Sequence, residues 1–429
     1  MKKIISLVLA TLACCGITAQ TSGETTGNMV IYEANPRFFA ANDAFKAIDS
    51  RLDQIHELET DVLWLMPICA PGVEKAVGSP YCIQDYTNVN PRYGTIDDLK
   101  ALVTHAHDKN MMVIVDWVAN HTAWDHPWIK QHPNWYTRED GNVISPRGFN
   151  WNDVADLNYD DHDMRAEMIK CMLFWVKECG IDGFRCDYAE GVPHDFWKDA
   201  IAQIRQARPG ALMLAEGSDF GFYDDGFDMM YDWNFTSRLQ DYFNGRATIK
   251  KVEDYAVKKM ARVPKGKVIM RYAINHDVMS EKSAVTLFGH NDAMMAAQVL
   301  ATFMGGVPLV YSGQENGFTN RASFFDYTPM EWTGRHSAQL AAINHAFHAT
   351  QQARSGKRTV TESGNAAIVS YENGKKRLLV MVNPTSDPVV VAVPRTMKGI
   401  KMTDATTGTS AKTPATVKLP AHGYRIYHN

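Results

Sequence analysis

Beyond its first twenty residues, this chain of 429 residues has no stretch long and apolar enough to cross a membrane, which takes about 20 consecutive apolar residues. It also lacks a basic patch, and its formal net charge is only −4. A nucleic-acid partner requires clustered lysine and arginine to meet phosphate, so the charge balance points instead to a soluble protein with a neutral substrate. Cysteine is scarce, at seven residues, and no close C-x-x-C pair offers a zinc or redox site. Internal repeats and low-complexity tracts are absent. What is present is an ordinary globular composition, 45% hydrophobic and 21% charged, with ample material for a large core. The length fits a barrel of about 250 residues or more with an accessory domain.

The first residues differ from the rest. Lys2 and Lys3 precede an apolar run over residues 4–13, and small residues follow as far as Ala19. This is the pattern of a secretory signal peptide spanning residues 1–19, and it predicts export to the periplasm or the extracellular space. Cys14 and Cys15 raise a lipid anchor as the second-ranked alternative. Cleavage after Ala19 would remove two lysines, taking the net charge to −6. It would leave Cys69, Cys82, Cys171, Cys179 and Cys186, scattered and odd in number. Cys171 and Cys179 stand two turns apart on one expected helix, too far to bridge. All five read as buried structural thiols.

Short apolar runs alternate with amphipathic segments along residues 20–356. Strands are expected at 29–33, 61–66, 111–116, 183–187, 211–216, 227–231, 267–274 and 307–311. Helices are expected at 44–57, 96–109, 164–177, 196–207, 292–304 and 337–352, with helical material over 237–260. Eight strand–helix units predict a parallel (β/α)8 TIM barrel. Residues 117–162, rich in Trp, His, Pro and Asn, are far too long for an ordinary connection and predict an inserted loop domain after the third strand. Beyond residue 356 the pattern changes to strands at 366–371, 377–382, 388–393 and 423–427, with turn signals at Asn373-Gly374 and Asn383-Pro384. Residues 357–429 are therefore expected to form a C-terminal antiparallel β domain of the sandwich type.

Active sites of such barrels lie at the C-terminal ends of the strands. Asp116, Asp187 and Glu216 end predicted strands, and Asp277 follows one. Acids placed there are costly to bury without partners, and four on one rim predict a polar site. In Gly183-Phe184-Arg185-Cys186-Asp187, residues two apart face the same side, so Arg185 and Asp187 project together. The adjacent cation should keep Asp187 ionised, as a nucleophile requires. Glu216 follows the apolar run Leu212-Met213-Leu214-Ala215, where burial should raise its pKa and keep it protonated as a general acid. Two carboxyls in contrasting environments follow the logic of glycoside hydrolysis. His105 and His107 lie two apart on one helix and do not share a face, which argues against metal binding there. Trp124, Trp128, Trp135, Tyr136 and Trp151 lie in the insertion. Half or more of these aromatics should build its own small core.

Four segments, in order, resemble motifs of the α-amylase superfamily of glycoside hydrolases: Asp116-Trp-Val-Ala-Asn120-His121, Gly183-Phe-Arg185-Cys-Asp187, Ala215-Glu216-Gly217 and Asn275-His276-Asp277. Supporting matches are Ser79-Pro-Tyr81 with Asp85-Tyr86, Asn90-Pro-Arg-Tyr-Gly94, Asp156-Leu-Asn158 and the run from Gly306 to Glu315. The resemblance implies that Asp187 is the nucleophile, Glu216 the general acid and base, and Asp277 the third carboxylate. It implies sugar contacts from Arg185, His121 and His276, a stacking platform at Tyr81, and a structural acid at Asp116 that orients Arg185. It further implies a retaining hydrolase of α-1,4-glucosidic bonds in starch, glycogen or maltooligosaccharides. The alternatives are an α-glucosidase, a neopullulanase-like or glucan-transferring relative and, more remotely, a non-catalytic sugar-binding barrel or a metal-dependent hydrolase. The chain departs from the superfamily after the nucleophile. Many starch-cleaving members carry a Lys-His pair where Glu190-Gly191 stand here, which puts a preference for long chains in question. A structural calcium is a further implied ligand, held by the hard oxygens of Asn120, Asp156 and the Gly191 carbonyl.

Overall fold

The computed structural model describes residues 26–429; the export segment expected over residues 1–19 lies outside them. Eight parallel strands close into a barrel: β1 (Ile31–Ala34), β2 (Val62–Leu65), β3 (Met112–Val118), β4 (Gly183–Asp187), β5 (Leu212–Ala215), β6 (Met229–Tyr231), β7 (Val268–Arg271) and β8 (Val307–Tyr311). Each strand pairs with its neighbour in sequence. Ile31 opposite Leu309 closes the ring between β1 and β8. The strands are short apolar runs such as VLWL and LMLA, buried on both faces as parallel strands must be.

The surrounding helices follow their sequence signals. α1 (Ile96–Asp108) starts with a capping box between Thr95 and Asp98 and buries Leu99, Leu102, Val103 and Ala106 along one stripe. α2 (His162–Phe174), α3 (His194–Ala207), α4 (Trp233–Phe243), α5 (Ile249–Met260), α6 (Ala293–Phe303) and α7 (Ser337–Ala349) complete the outer layer. The helix expected over 44–57 is instead two short helices, Ala44–Asp49 and Leu52–His56. The break falls at Ser50, whose hydroxyl donates to the Ala47 carbonyl at 2.8 Å and so competes with the backbone ladder. His105 and His107 serve different partners, Asp49 and Asp182, each at 2.8 Å.

The insertion after β3 is organised by a small antiparallel ladder, His121–Ala123 against Val154–Asp156. Trp128, Trp135 and Tyr136 pack into its own aromatic core, with Trp128 and Trp135 ring centroids 5.0 Å apart. The C-terminal region forms a six-stranded sheet in the order β9 (Lys357–Ser363), β10 (Ala366–Asn373), β11 (Lys376–Val382), β16 (Tyr424–His428), β13 (Lys401–Asp404), β14 (Thr409–Lys412). β12 (Val389–Ala392) and β15 (Thr416–Leu419) make a second, two-stranded sheet. Ile368, Leu379, Met381, Val391, Val417 and Leu419 fill a shared core. β9, β13, β14 and β15 were not expected from the sequence. β14 (TSAK) is exposed at every position and has no apolar alternation to betray it; it is held by pairing with β13. Tyr371 donates to the Phe303 carbonyl at 2.8 Å, and Arg358 meets Glu253 at 3.0 Å, fastening this domain to the barrel. The five cysteines among the described residues are buried and free, as expected. No helix among the described residues is long and apolar enough to cross a membrane.

Candidate active site

At the C-terminal ends of the barrel strands, a cavity of about 420 Å³ is lined by Tyr81, His121, Asp187, Glu216, His276 and Asp277. These residues come from five different parts of the chain and meet there because consecutive strands lie side by side. Cys186 of β4 is level with Ala215 of β5, so Asp187 and Glu216 leave neighbouring strands at the same height. Adjacent strands are about 4.7–4.9 Å apart.

Arg185 organises the site from below. It is fully buried. Its Nη1 donates to Asp116 Oδ1 and to Asp187 Oδ1, both at 2.8 Å, and its Nη2 lies 2.9 Å from Glu216 Oε2. Nε donates to the Tyr231 hydroxyl at 3.1 Å. Asp116 thus orients the guanidinium, and the guanidinium sets the relative positions of the two carboxyls that face the cavity. Glu216 is held further by the backbone: the Tyr188 N–H donates to Oε2 at 2.7 Å. Tyr188 can reach it because its backbone sits in the left-handed region, at φ +38°, which is uncommon for a bulky residue and clusters at functional sites.

Three acids share this one guanidinium, and their protonation reflects the imbalance. Burial raises Glu216 to about 7, against the pull of Arg185 and with help from Asp187 and Asp277. Burial also raises Asp187 to about 6, and Asp116 adds to the rise; Arg185 opposes both without overcoming them. This corrects the expectation that the neighbouring cation keeps Asp187 low: one guanidinium divided among three largely desolvated carboxyls cannot offset the loss of water. Asp116, raised to about 6, shows the same outcome. The contrast in environment survives as an ordering, with Glu216 the last of the three to lose its proton.

Asp277 behaves oppositely. Burial alone would raise it, but His276 at 3.1 Å holds it down at about 2, and Asn275 Nδ2 donates to its other oxygen at 3.1 Å. His276 is raised well above its ordinary value because Asp277 and Glu33 outweigh its burial. His121 is lowered to about 4 by burial and is neutral. Tyr81 stacks on His276, centroids 5.8 Å apart, and its hydroxyl reaches His276 Nε2 at 2.9 Å and Asp116 Oδ2 at 3.2 Å. All eight residues expected at the rim are therefore brought together, seven of them joined by direct polar contacts, with His121 on the wall beside Trp151.

Several contributors were not foreseen. Glu33 of β1 is buried beneath His276, with Oε1 2.5 Å from Nδ1. The strand-end rule that selects Asp116 and Asp187 selects it equally. Phe149 and Trp151 stack at 4.1 Å and meet Tyr188 edge-on, forming one wall; Val77, Phe324 and Phe325 form the other. Trp151 is the one insertion tryptophan that reaches the cavity. Arg37, buried and without an acid partner among the described residues, donates to the carbonyls of Gly78 (2.6 Å), Phe324 (3.0 Å) and Phe325 (2.7 Å) and ties the second wall together. Apart from Trp151, one of the insertion aromatics named from the sequence, nothing local marks these wall positions, because they come from loops far apart in the chain.

Of the oxygens expected to hold calcium, Asn120 Oδ1 lies against Gly191, 2.3 Å from where a Cβ on that glycine would sit. Asp156 stands across the ladder from His121, next to Asn120 in sequence, and burial raises its carboxyl. The set is chemically suited to a hard cation but carries a single carboxylate; no group of three or more His, Cys, Asp or Glu residues suited to a metal occurs among the described residues.

The model of the α-amylase catalytic domain matches residues 40–380. The chain is 27% identical over 348 residues to α-amylase 3 of Dictyoglomus thermophilum, covering 71% of this chain and 68% of that protein. It is 25% identical over 381 residues to a cyclomaltodextrinase of a Bacillus species, covering 82% and 67%. It spans about two thirds of the length of these two curated relatives. Among solved structures, an α-amylase from Lactobacillus plantarum is similar at a TM-score of 0.84 and 27% identity, covering 95% of this chain and all of that one.

Proposed function

From the premise that the chain belongs to the α-amylase family of glycosidases, we propose that it hydrolyses α-1,4-glucosidic bonds of starch, glycogen or maltooligosaccharides with retention of configuration. The observation that carries this reading is the pair Asp187 and Glu216, held at 2.8 and 2.9 Å on the two terminal nitrogens of Arg185 and both facing one cavity. Neighbouring-strand spacing suits the separation of about 5–5.5 Å between carboxyls in retaining enzymes.

In this mechanism Asp187 attacks the anomeric carbon as a carboxylate while Glu216 transfers its proton to the departing glycosidic oxygen. A covalent glycosyl-enzyme forms and the shortened sugar leaves. Glu216, now ionised, takes a proton from water, and that water's oxygen displaces Asp187 from the anomeric carbon. Asp277, His276 and His121 bind the hydroxyls of the sugar being cleaved, and Tyr81 supports its ring; Arg185, expected as a further sugar contact, is sealed beneath the cavity and acts through the carboxyls it holds. Asp187 must be ionised and Glu216 protonated, so activity falls as pH drops through about 6 and falls again as it rises through about 7.

Digestion of amylose, pullulan and maltoheptaose, with products resolved by size and anomer, tests the proposal. Release of α-anomeric maltooligosaccharides from amylose and maltoheptaose is expected; β-anomeric first products would refute retention. The leaving-group side favours short substrates as a second reading. Where the superfamily's Lys-His would stand, the Glu190 carboxylate is instead occupied by Ser218 and Asp219, accepting from their backbone N–H groups at 2.5 and 3.2 Å. Glucose alone from the earliest time point would establish an α-glucosidase instead.

Calcium, where bound, would be held by Asn120, Asp156 and the Gly191 carbonyl and would join the insertion to the barrel as a structural charge. A rise in Tm on adding calcium, removed by Asp156→Ala, is the expected sign; an unchanged Tm would dismiss the site. Export of the chain through its first nineteen residues is part of the same proposal.

A further inference from the structure

Glu33, the last residue but one of β1, lies outside the lining of the cavity and is fully buried. One of its oxygens lies 2.5 Å from His276 Nδ1; the other, Oε2, has no hydrogen-bond partner. A glutamine in its place would accept the same N–H through its amide oxygen without burying a charge. Burying a carboxylate with one unsatisfied oxygen is costly, and a purely structural contact would not require it. The return must come through the charge. The other ring nitrogen of His276 faces Asp277 Oδ1 at 3.1 Å and the Tyr81 hydroxyl at 2.9 Å. With a carboxylate on each nitrogen, the ring donates on both sides and is an imidazolium. From Tyr81 the polar chain continues to Asp116 at 3.2 Å and through Arg185 to Asp187 and Glu216.

We propose that Glu33 is a positioning residue for the glycosidic reaction: from beneath the cavity it keeps His276 as an imidazolium, which in turn keeps Asp277 an anion aimed at the sugar. This rests on the roles given above to Asp187 and Glu216. The other groups facing the pair do not replace Glu33. Arg185 is the nearest cation and is committed to Asp116, Asp187 and Glu216. From β6, from just beyond β7 and from β8, Tyr231, Tyr272 and Tyr311 are kept neutral by burial. From β2, Trp64 meets the imidazole edge-on at 6.0 Å and carries no charge.

Glu33→Gln removes the charge and keeps the shape. His276 then gives up its proton at lower pH, and the carboxyls nearby, relieved of one anion, ionise more readily. Both limbs of the pH profile therefore move toward acid. Turnover of maltoheptaose should stay within about threefold of wild type at the acid end and fall about tenfold further behind at the alkaline end, the change that one pKa unit produces. A uniform loss with both limbs unmoved would mark Glu33 as merely structural and overturn the proposal. ¹⁵N NMR of histidine-labelled wild-type protein gives a measurement independent of how the variant folds. Both ring nitrogens of His276 are expected to be protonated throughout the active pH range, and a neutral ring in the wild type would equally overturn the proposal. Because that spectrum does not depend on turnover, its failure is distinguishable from failure of the roles of Asp187 and Glu216, which would appear as an active Asp187→Asn enzyme.

Discussion

The floor and the rim of the barrel interior are built from the same strands, two residues apart. Ile31 lies below Glu33, Ile114 below Asp116 and Leu214 below Glu216. The lower residues join Val62, Met270 and Leu309 in a sealed apolar plug. The upper ones form a network with five acids and two cations, of which Glu33, Asp116, Arg185 and His276 are buried while Asp187, Glu216 and Asp277 open on the cavity. One step of the strand alternation separates a layer that supplies stability from one that consumes it. The excess of acids over cations explains why protons are retained at the rim near neutral pH, and retained protons are what a general acid needs. Dense packing below gives the rim a rigid base, so its side chains are not free to relax toward solvent.

The sharpest break in this comparison is chemical. Asp187→Asn and Glu216→Gln should each lower kcat on maltoheptaose by at least about 10³-fold while circular dichroism stays native; a wild-type rate in either variant would undo the assignment. The floor should fail in the opposite way. Leu309→Ala is expected to cost about 2–5 kcal/mol of stability, read by urea unfolding, and to leave kcat per folded molecule nearly unchanged; a matching fall in kcat would show that the two layers are not separable.

A smaller effect concerns charge alone. Asp187 is raised when folded, so its ionisation opposes folding above the unfolded value of 3.8 and increasingly as pH climbs through about 6. Asp277 is lowered to about 2, so its ionisation contributes stability above 3.8 that disappears as pH falls toward 2. At pH 8, Asp187→Asn should therefore leave stability unchanged or raised, and Asp277→Asn should lower it by about 1 kcal/mol or less, because the Asp277 side chain is 40% exposed and its attraction to His276 is screened. The reverse order in a thermal scan would contradict the account of the rim. The smallest change belongs away from both layers: Val390→Thr on β12, where the side chain is 65% exposed, should shift stability by less than about 0.5 kcal/mol.

Much of this was legible beforehand where one residue type repeats against a regular background. The eight apolar runs, the acids at their ends and the alternation placing Arg185 beside Asp187 all depend on local periodicity, and the barrel and its central carboxyls follow from them. Glu33 obeys the same rule, but no paired motif distinguishes it from an ordinary strand residue. The polar strand β14 left no mark, since an exposed edge strand is selected by its partner and not by its own pattern. The break at Ser50 was hidden inside an unbroken helical periodicity.

The sequence by itself determined the order of strands and helices, the apolar plug and the identity of the acids at the rim, because these rest on hydrophobic period and residue type. Only the tertiary structure decided how one guanidinium is shared among three carboxyls, how far burial raises Asp187, and which aromatics from distant loops wall the cavity. Those outcomes depend on distance and desolvation in three dimensions, which neighbours along the chain do not encode.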